Sequence, residues 1–150
     1  MEPSFDEKEV MHRVDDGSIS DDEKLWRRIV PSEFWVKRCE DGTIRPTSAA
    51  FLDGITNEVS VCRESLTTVE DTMLGYEGQG LVEILASFPR SLNHLVVADP
   101  IPKSEDAEGD PSHALICPPE GISPNNRKKS ARKMAMKAVW VVEPELDFIP

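Results

Sequence analysis

Arg45-Pro46-Thr47-Ser48, with Ser60 a short distance downstream, sets a planar, five-donor cation beside hydroxyls, a combination that suits a phosphate or a carboxylate. A solvated Arg at a strand end, followed by a Ser capping a helical turn, accounts for the same residues without any ligand. His113 enters a strand straight from an acidic loop, and Cys117 lies four residues on, on the same strand face. An imidazole near carboxylates changes charge around neutral pH and suits general acid–base work, with a loop-edge side chain as the plainer reading. The His113/Cys117 pair does not make a zinc site, because a tetrahedral site needs four ligands, or three and water, and no second pair is spaced to help. A Ser–His–acid triad can be drawn from Ser48 or Ser60 and His113, but the glycine-flanked nucleophile elbow is missing. Gly78-Gln79-Gly80 is too short for a dinucleotide fingerprint and reads as turn chemistry. No metal and no cofactor is expected, and Arg45, Ser48, Ser60 and His113 stand as the candidate catalytic residues.

A third cluster carries charge alone. Arg127, Lys128, Lys129, Arg132, Lys133 and Lys137 gather six of the chain's 17 Lys and Arg within a few helical turns. They oppose a stripe of Ala131, Met134, Ala135 and Ala138, so the helix is amphipathic. Arg127, Lys128, Arg132 and Lys133 are candidates for contact with an acidic partner or nucleic acid. The alternative is a solvated face balanced by the Glu105–Asp110 loop or by the acidic N-terminus.

The scaffold for these residues is bounded by composition. A chain of 150 residues fits one domain and can bury roughly 70% of the surface it exposes when unfolded. Hydrophobic residues make up 39% and charged residues 30%, which fits a compact domain with some chain outside the core. The net charge of −11 argues against nucleic acid or an anionic membrane as a general partner. Three cysteines without paired spacing read as reduced thiols. The acidic start lacks a secretory pattern, and no apolar run is long enough to span a bilayer. A cytoplasmic protein is expected.

Residues 1–20 are acidic and aperiodic, and a disordered tail is expected there. Residues 21–143 should form a single domain and residues 144–150 a C-terminal tail. Ser20 with Glu23 has the form of a capping box, which predicts a short helix ending before Pro31. Phe34–Arg38 and Thr43–Arg45 read as a hairpin around Glu40-Asp41-Gly42. Thr47–Phe51 reads as one helical turn closed by Asp53-Gly54, and Glu58–Cys62 as a half-buried strand. Thr67 or Thr68 caps a helix through Tyr76. Leu81–Ser87 and Leu95–Ala98 are the most apolar runs and are expected to be central strands. His113–Cys117 is another strand, Ser123-Pro124 opens the basic helix, and Val139–Val142 is a last strand or the end of that helix, its β-branched residues and Trp140 favouring strand. This order predicts α+β, a mostly antiparallel sheet with two or three helices.

The spread LWRRI, RPTSAAF, EVSV, DP, HALI and AVWVV, from Leu25 to Val142, resembles in layout a family of small bacterial proteins, and this likeness carries no functional residue with it. The chain also resembles small ADP-ribosyltransferase-like domains of the RES toxin type. Those open with an aromatic–Arg pair, here Trp26-Arg27, and carry Arg, Ser and an acid in and after the early strands, here Arg45, Ser48 and Glu64. Arg45-Pro46-Thr47 stands where that family has an aromatic–Asn element. This resemblance implies a nucleotide-directed enzyme or toxin. The reading preferred from the residues is a small accessory or interaction module without catalytic activity and with a protein partner. A binder of nucleic acid or of an acidic partner through residues 125–138 is the further alternative.

Overall fold

The computed structural model describes residues 13–52 and 56–146. Strands β1 (Lys24–Ile29), β4 (Val59–Arg63), β5 (Gly80–Leu85), β6 (Leu95–Ala98), β7 (His113–Cys117) and β8 (Val139–Val142) form one sheet in the order β6-β7-β4-β1-β5-β8. Every neighbouring pair in it is antiparallel. Strands β2 (Val36–Arg38) and β3 (Ile44–Pro46) make a separate hairpin. Three helices, α1 (Val69–Met73), α2 (Ser87–Ser91) and α3 (Pro124–Lys137), complete the expected α+β domain.

The first strand departs from the expected helix, and the reason lies in its burial. Leu25 and Ile29 enter the main core on one face of the sheet, while Trp26 is buried on the other with Cys62 and Leu81. A central strand covered on both sides loses its period-2 signature, so the adjacent buried Leu and Trp imitate part of a helical stripe. Ser20 closes a turn instead of capping a helix, its carbonyl accepting from the Glu23 amide at 3.1 Å. Leu95–Ala98, expected at the centre, is the edge strand β6. The connection between the two apolar runs holds α2.

The expected tail boundary at residue 20 also shifts. Residues 1–12 lie outside the described residues, but Arg13–Ser20 pack on the domain. Ile19 is 1% exposed within the main core. The Asp16 amide donates to the Val96 carbonyl at 2.9 Å, and Asp15 Oδ1 accepts from the Val96 amide at 2.9 Å. These bonds cover the outer edge of β6. Arg90, from α2, grips the same segment through Asp15 Oδ1 (3.0 Å), Asp21 Oδ1 (2.8 Å) and the Asp16 carbonyl (2.9 Å). At the other end, Pro144 is buried, Leu146 packs on the core and the Glu145 amide donates to the Gly78 carbonyl, so residues 144–146 belong to the domain. Asp53-Gly54 and residues 147–150 lie outside the described residues.

The main core lies between the sheet and a layer made of α3, the hairpin and a 3-10 turn, Ser48–Phe51. Phe51 and Ala50 meet Ala131, Met134 and Ala135 there, the stripe expected of the basic helix. Ser123 caps α3 by accepting from the Asn126 amide, with Pro124 at the first helical position. Trp140 Nε1–H donates to the Ile44 carbonyl at 2.8 Å and ties the hairpin to the sheet.

Two titratable groups, buried His94 and half-buried Glu23, contribute to the fold's acid response. Burial pushes the His94 imidazole below its usual value. Arg63, through two bonds of 2.9 and 3.0 Å, holds the Glu23 carboxyl below the usual carboxylate range, with Ser65 adding a third. Below about pH 6.5 the unfolded chain takes a proton on His94 that the folded chain refuses, and below about pH 4.5 the same holds for Glu23. Both contributions are present above those values and are lost as pH falls. Unfolding free energy measured from pH 8 to 3 should therefore decline in two stages, His94→Asn removing the upper one and Glu23→Gln reducing the lower, to which the Asp16 and Asp41 carboxyls, also held down by their hydrogen bonds, contribute. An unchanged profile in both variants would refute this account.

Candidate functional site

The two faces of the sheet carry different chemistry. On the face away from α3, the strand register sets Trp26 opposite Cys62 and Cys62 opposite His113. Helix α1 and the segment from Ile101 to Asp110 rise on either side of this row and leave a groove of about 810 Å³. Arg28, two residues beyond Trp26, reaches into it. Its Nε–H donates to the Thr72 carbonyl at 2.7 Å, an Nη2 lies 3.8 Å from Cys62 Sγ, and its guanidinium sits 4.1 Å from the centre of the Tyr76 ring. Asp110 Oδ1 accepts from the Ser112 amide (2.9 Å) and hydroxyl (2.6 Å), and Oδ2 lies 3.8 Å from the Cys62 thiol. His113 Nδ1 lies 3.1 Å from Asp99 Oδ2 and 3.0 Å from the Asp99 carbonyl.

These groups satisfy one another. Burial pushes the Cys62 thiol up, and Asp110 pushes the same way against the lowering pull of Arg28 and Ser112. A thiol kept protonated is a weak nucleophile. Among the described residues no hydrogen bond joins His113 to Cys62 or to Ser60. Cys117 is separated from His113 by the length of β7, at the other end of the strand. It lines a cavity of about 650 Å³ with Glu58 and Arg13. There its thiol donates to Glu58 Oε2 at 3.5 Å, and burial, with Glu58 adding, pushes it up to about 12. Arg13 closes that cluster with two bonds to Glu58, of 2.8 and 3.1 Å. None of the three cysteines is in a disulfide. Among the described residues no group of His, Cys, Asp and Glu is arranged to hold a metal ion.

The face covered by α3 is the opposite case. Lys128, Lys129, Arg132 and Lys133 stand exposed on the helix, while Ala131, Met134 and Ala135 are buried beneath. The hairpin extends this positive surface, because its register places Lys37 directly across from Arg45. Lys37, Arg45, Pro46, Thr47, Ser48 and Arg132 line a small basin of about 190 Å³ between hairpin and helix. Ion pairs among the described residues include Arg13–Glu58, Arg63–Glu23, Arg90 with Asp15 and Asp21, and His113–Asp99. Lys37, Arg45, Lys128, Lys129, Arg132 and Lys133 take part in none of them. The Glu105–Asp110 loop, considered as a balancing charge, borders the groove on the far face through Glu108 and Asp110.

The four candidate catalytic residues thus divide into two pairs. Arg45 and Ser48 share the basin with Arg132, whereas Ser60 and His113 share the groove across the sheet. Arg127 is half-buried near the start of α3, and Lys128 and Lys133 flank the basin's Arg132 along the helix. Of the residues named through the RES resemblance, Trp26 donates to Glu83 on the groove face. Arg27 points the other way, donating to the Ala50 and Ser60 carbonyls, each at 2.9 Å, with its guanidinium over Trp35. Glu64 opens a short 3-10 turn after β4. Sequence reasoning missed Arg28, Cys62 and Asp110, which meet only once β1 is a strand, and Lys37, whose signal was its hairpin register with Arg45. Set against protein-family models, curated proteins and solved structures, the chain matches none.

Proposed function

We propose that this chain is a non-catalytic docking module that binds an acidic protein segment through the surface formed by α3 and the β2–β3 hairpin. One observation carries the reading: Lys37, Arg45, Lys128, Lys129, Arg132 and Lys133 gather on this face and take part in no ion pair among the described residues, on a molecule of net charge −11. An acidic molecule that leaves one face positive presents a directional field, and such patches steer a complementary partner more than they stabilise a fold. The polar groove residues Arg28, Asp110, Ser112 and His113 are bonded to one another or to nearby groups, unlike the cations of the basic face. Three unbridged thiols fit a reducing compartment, in keeping with a cytoplasmic module. No described helix is long and apolar enough to cross a membrane.

The test is fluorescence anisotropy of a labelled peptide rich in Asp and Glu, titrated with the full chain at low and physiological salt. Binding should weaken as salt rises, since the contacts are solvent-exposed charges. Lys128→Glu combined with Lys133→Glu should lower affinity at least about tenfold, both positions being exposed and away from the core. Binding that is indifferent to salt and to both reversals would overturn the reading.

A further inference from the structure

We infer that the basin between the hairpin and α3 is a phosphoryl-binding pocket, reading a phosphorylated residue within the acidic segment. This rests on the docking reading above and assigns the chemical group at its centre.

Three separate elements deliver cations to one small cavity: Lys37 from β2, Arg45 from β3 and Arg132 from α3. Lys37 and Arg45 are directly cross-strand, and like charges facing each other across a ladder are unfavourable. No carboxylate lines the basin, and none is paired with these three among the described residues. The fold therefore holds together a repulsion that a bound anion would relieve. The size of the charge deficit selects the anion. One carboxylate supplies a single negative charge, whereas a phosphomonoester near neutral pH carries close to two, with three acceptor oxygens for donors arriving from different sides. The Arg45 guanidinium supplies the paired planar donors that phosphate accepts, and Ser48 adds a hydroxyl donor at the opening of its turn. A volume of about 190 Å³ admits one such group, not a run of nucleotides. The net charge of −11 further disfavours a long polyanion.

The experiment compares three labelled probes on the full chain by anisotropy: an Asp/Glu-rich peptide, the same peptide with one phosphoserine, and a short DNA duplex. The phosphorylated peptide should bind at least about tenfold tighter than its unphosphorylated twin, the range expected for one charge-assisted contact. Arg45→Lys should lose that advantage nearly as fully as Arg45→Ala, because an ammonium lacks the planar fork. Arg132→Gln, on the exposed helix surface, should reduce it without affecting the melting temperature. Equal affinity for the two peptides would overturn the pocket while leaving the docking reading intact. Failure of both peptides would sink both. Tighter binding of the duplex, or displacement of the phosphopeptide by inorganic phosphate at the peptide's own affinity, would also overturn the assignment.

Discussion

Removing residues 1–19 is expected to lower the melting temperature by about 8 °C or more, although the segment is acidic and lacks periodicity. Ile19 is 1% exposed in the main core, and deleting a buried Ile side chain alone costs about 2–5 kcal/mol. The truncation also strips Arg90 of Asp15 and the Asp16 carbonyl, and leaves the Val96 amide and carbonyl on β6 without partners. In a domain of this length each kcal/mol moves the midpoint by roughly 2–4 °C. Calorimetry on the truncated chain, with Ile19→Ala as the side-chain control, checks this. A midpoint within about 2 °C of the full chain would show that Ile19 and its neighbours contribute nothing.

Phe51→Ala should be comparably severe, at about 3–5 kcal/mol. Phe51 is 2% exposed, in the turn between the sheet and α3, and lies in one cluster with Ala131, Met134 and Ala135. Alanine at this position leaves a void that the short turn and the helix can close only by moving together. Ser48 begins that turn, so the basin should loosen as well, and the phosphorylated peptide should bind the folded fraction of Phe51→Ala more weakly. Phe51→Leu retains most of the volume and should cost much less. Denaturant unfolding distinguishes these outcomes, and a loss under about 1 kcal/mol for Phe51→Ala would refute the packing argument.

Much of the fold was legible because its local signals act alone. Ser123-Pro124 marked the start of α3, Thr68 the cap of α1, and Glu40-Asp41-Gly42 the turn of the hairpin. Each depends on a few neighbouring residues, and no distant partner alters it. Ser20 and Glu23 carried an equally good capping pattern, yet tertiary burial of Leu25 and Trp26 on opposite faces made the segment a strand. Arg45 and Ser48 were visible as a candidate pair for an anion, because they lie three residues apart. Their third and fourth partners were not, since Arg132 arrives through helix packing and Lys37 through register. Arg28, Cys62 and Asp110 came from three remote segments, and nothing in their sequence spacing links them.

The position of β1 bears on how the chain reaches this structure. It is the first strand among the described residues and pairs with β4 and β5, both far downstream, in the middle of the sheet. Among the described residues, the sheet's only pairing between consecutive strands is β6 with β7. Loop closure must be met before these distant pairings are rewarded, so folding belongs to the slower, millisecond-to-second regime of non-local topologies. During synthesis β1 leaves the ribosome with Leu25, Trp26 and Ile29 exposed and has no partner until β4 has emerged. The interval in which this chain is open to aggregation is therefore set by the translation of the residues between its first and fourth strands.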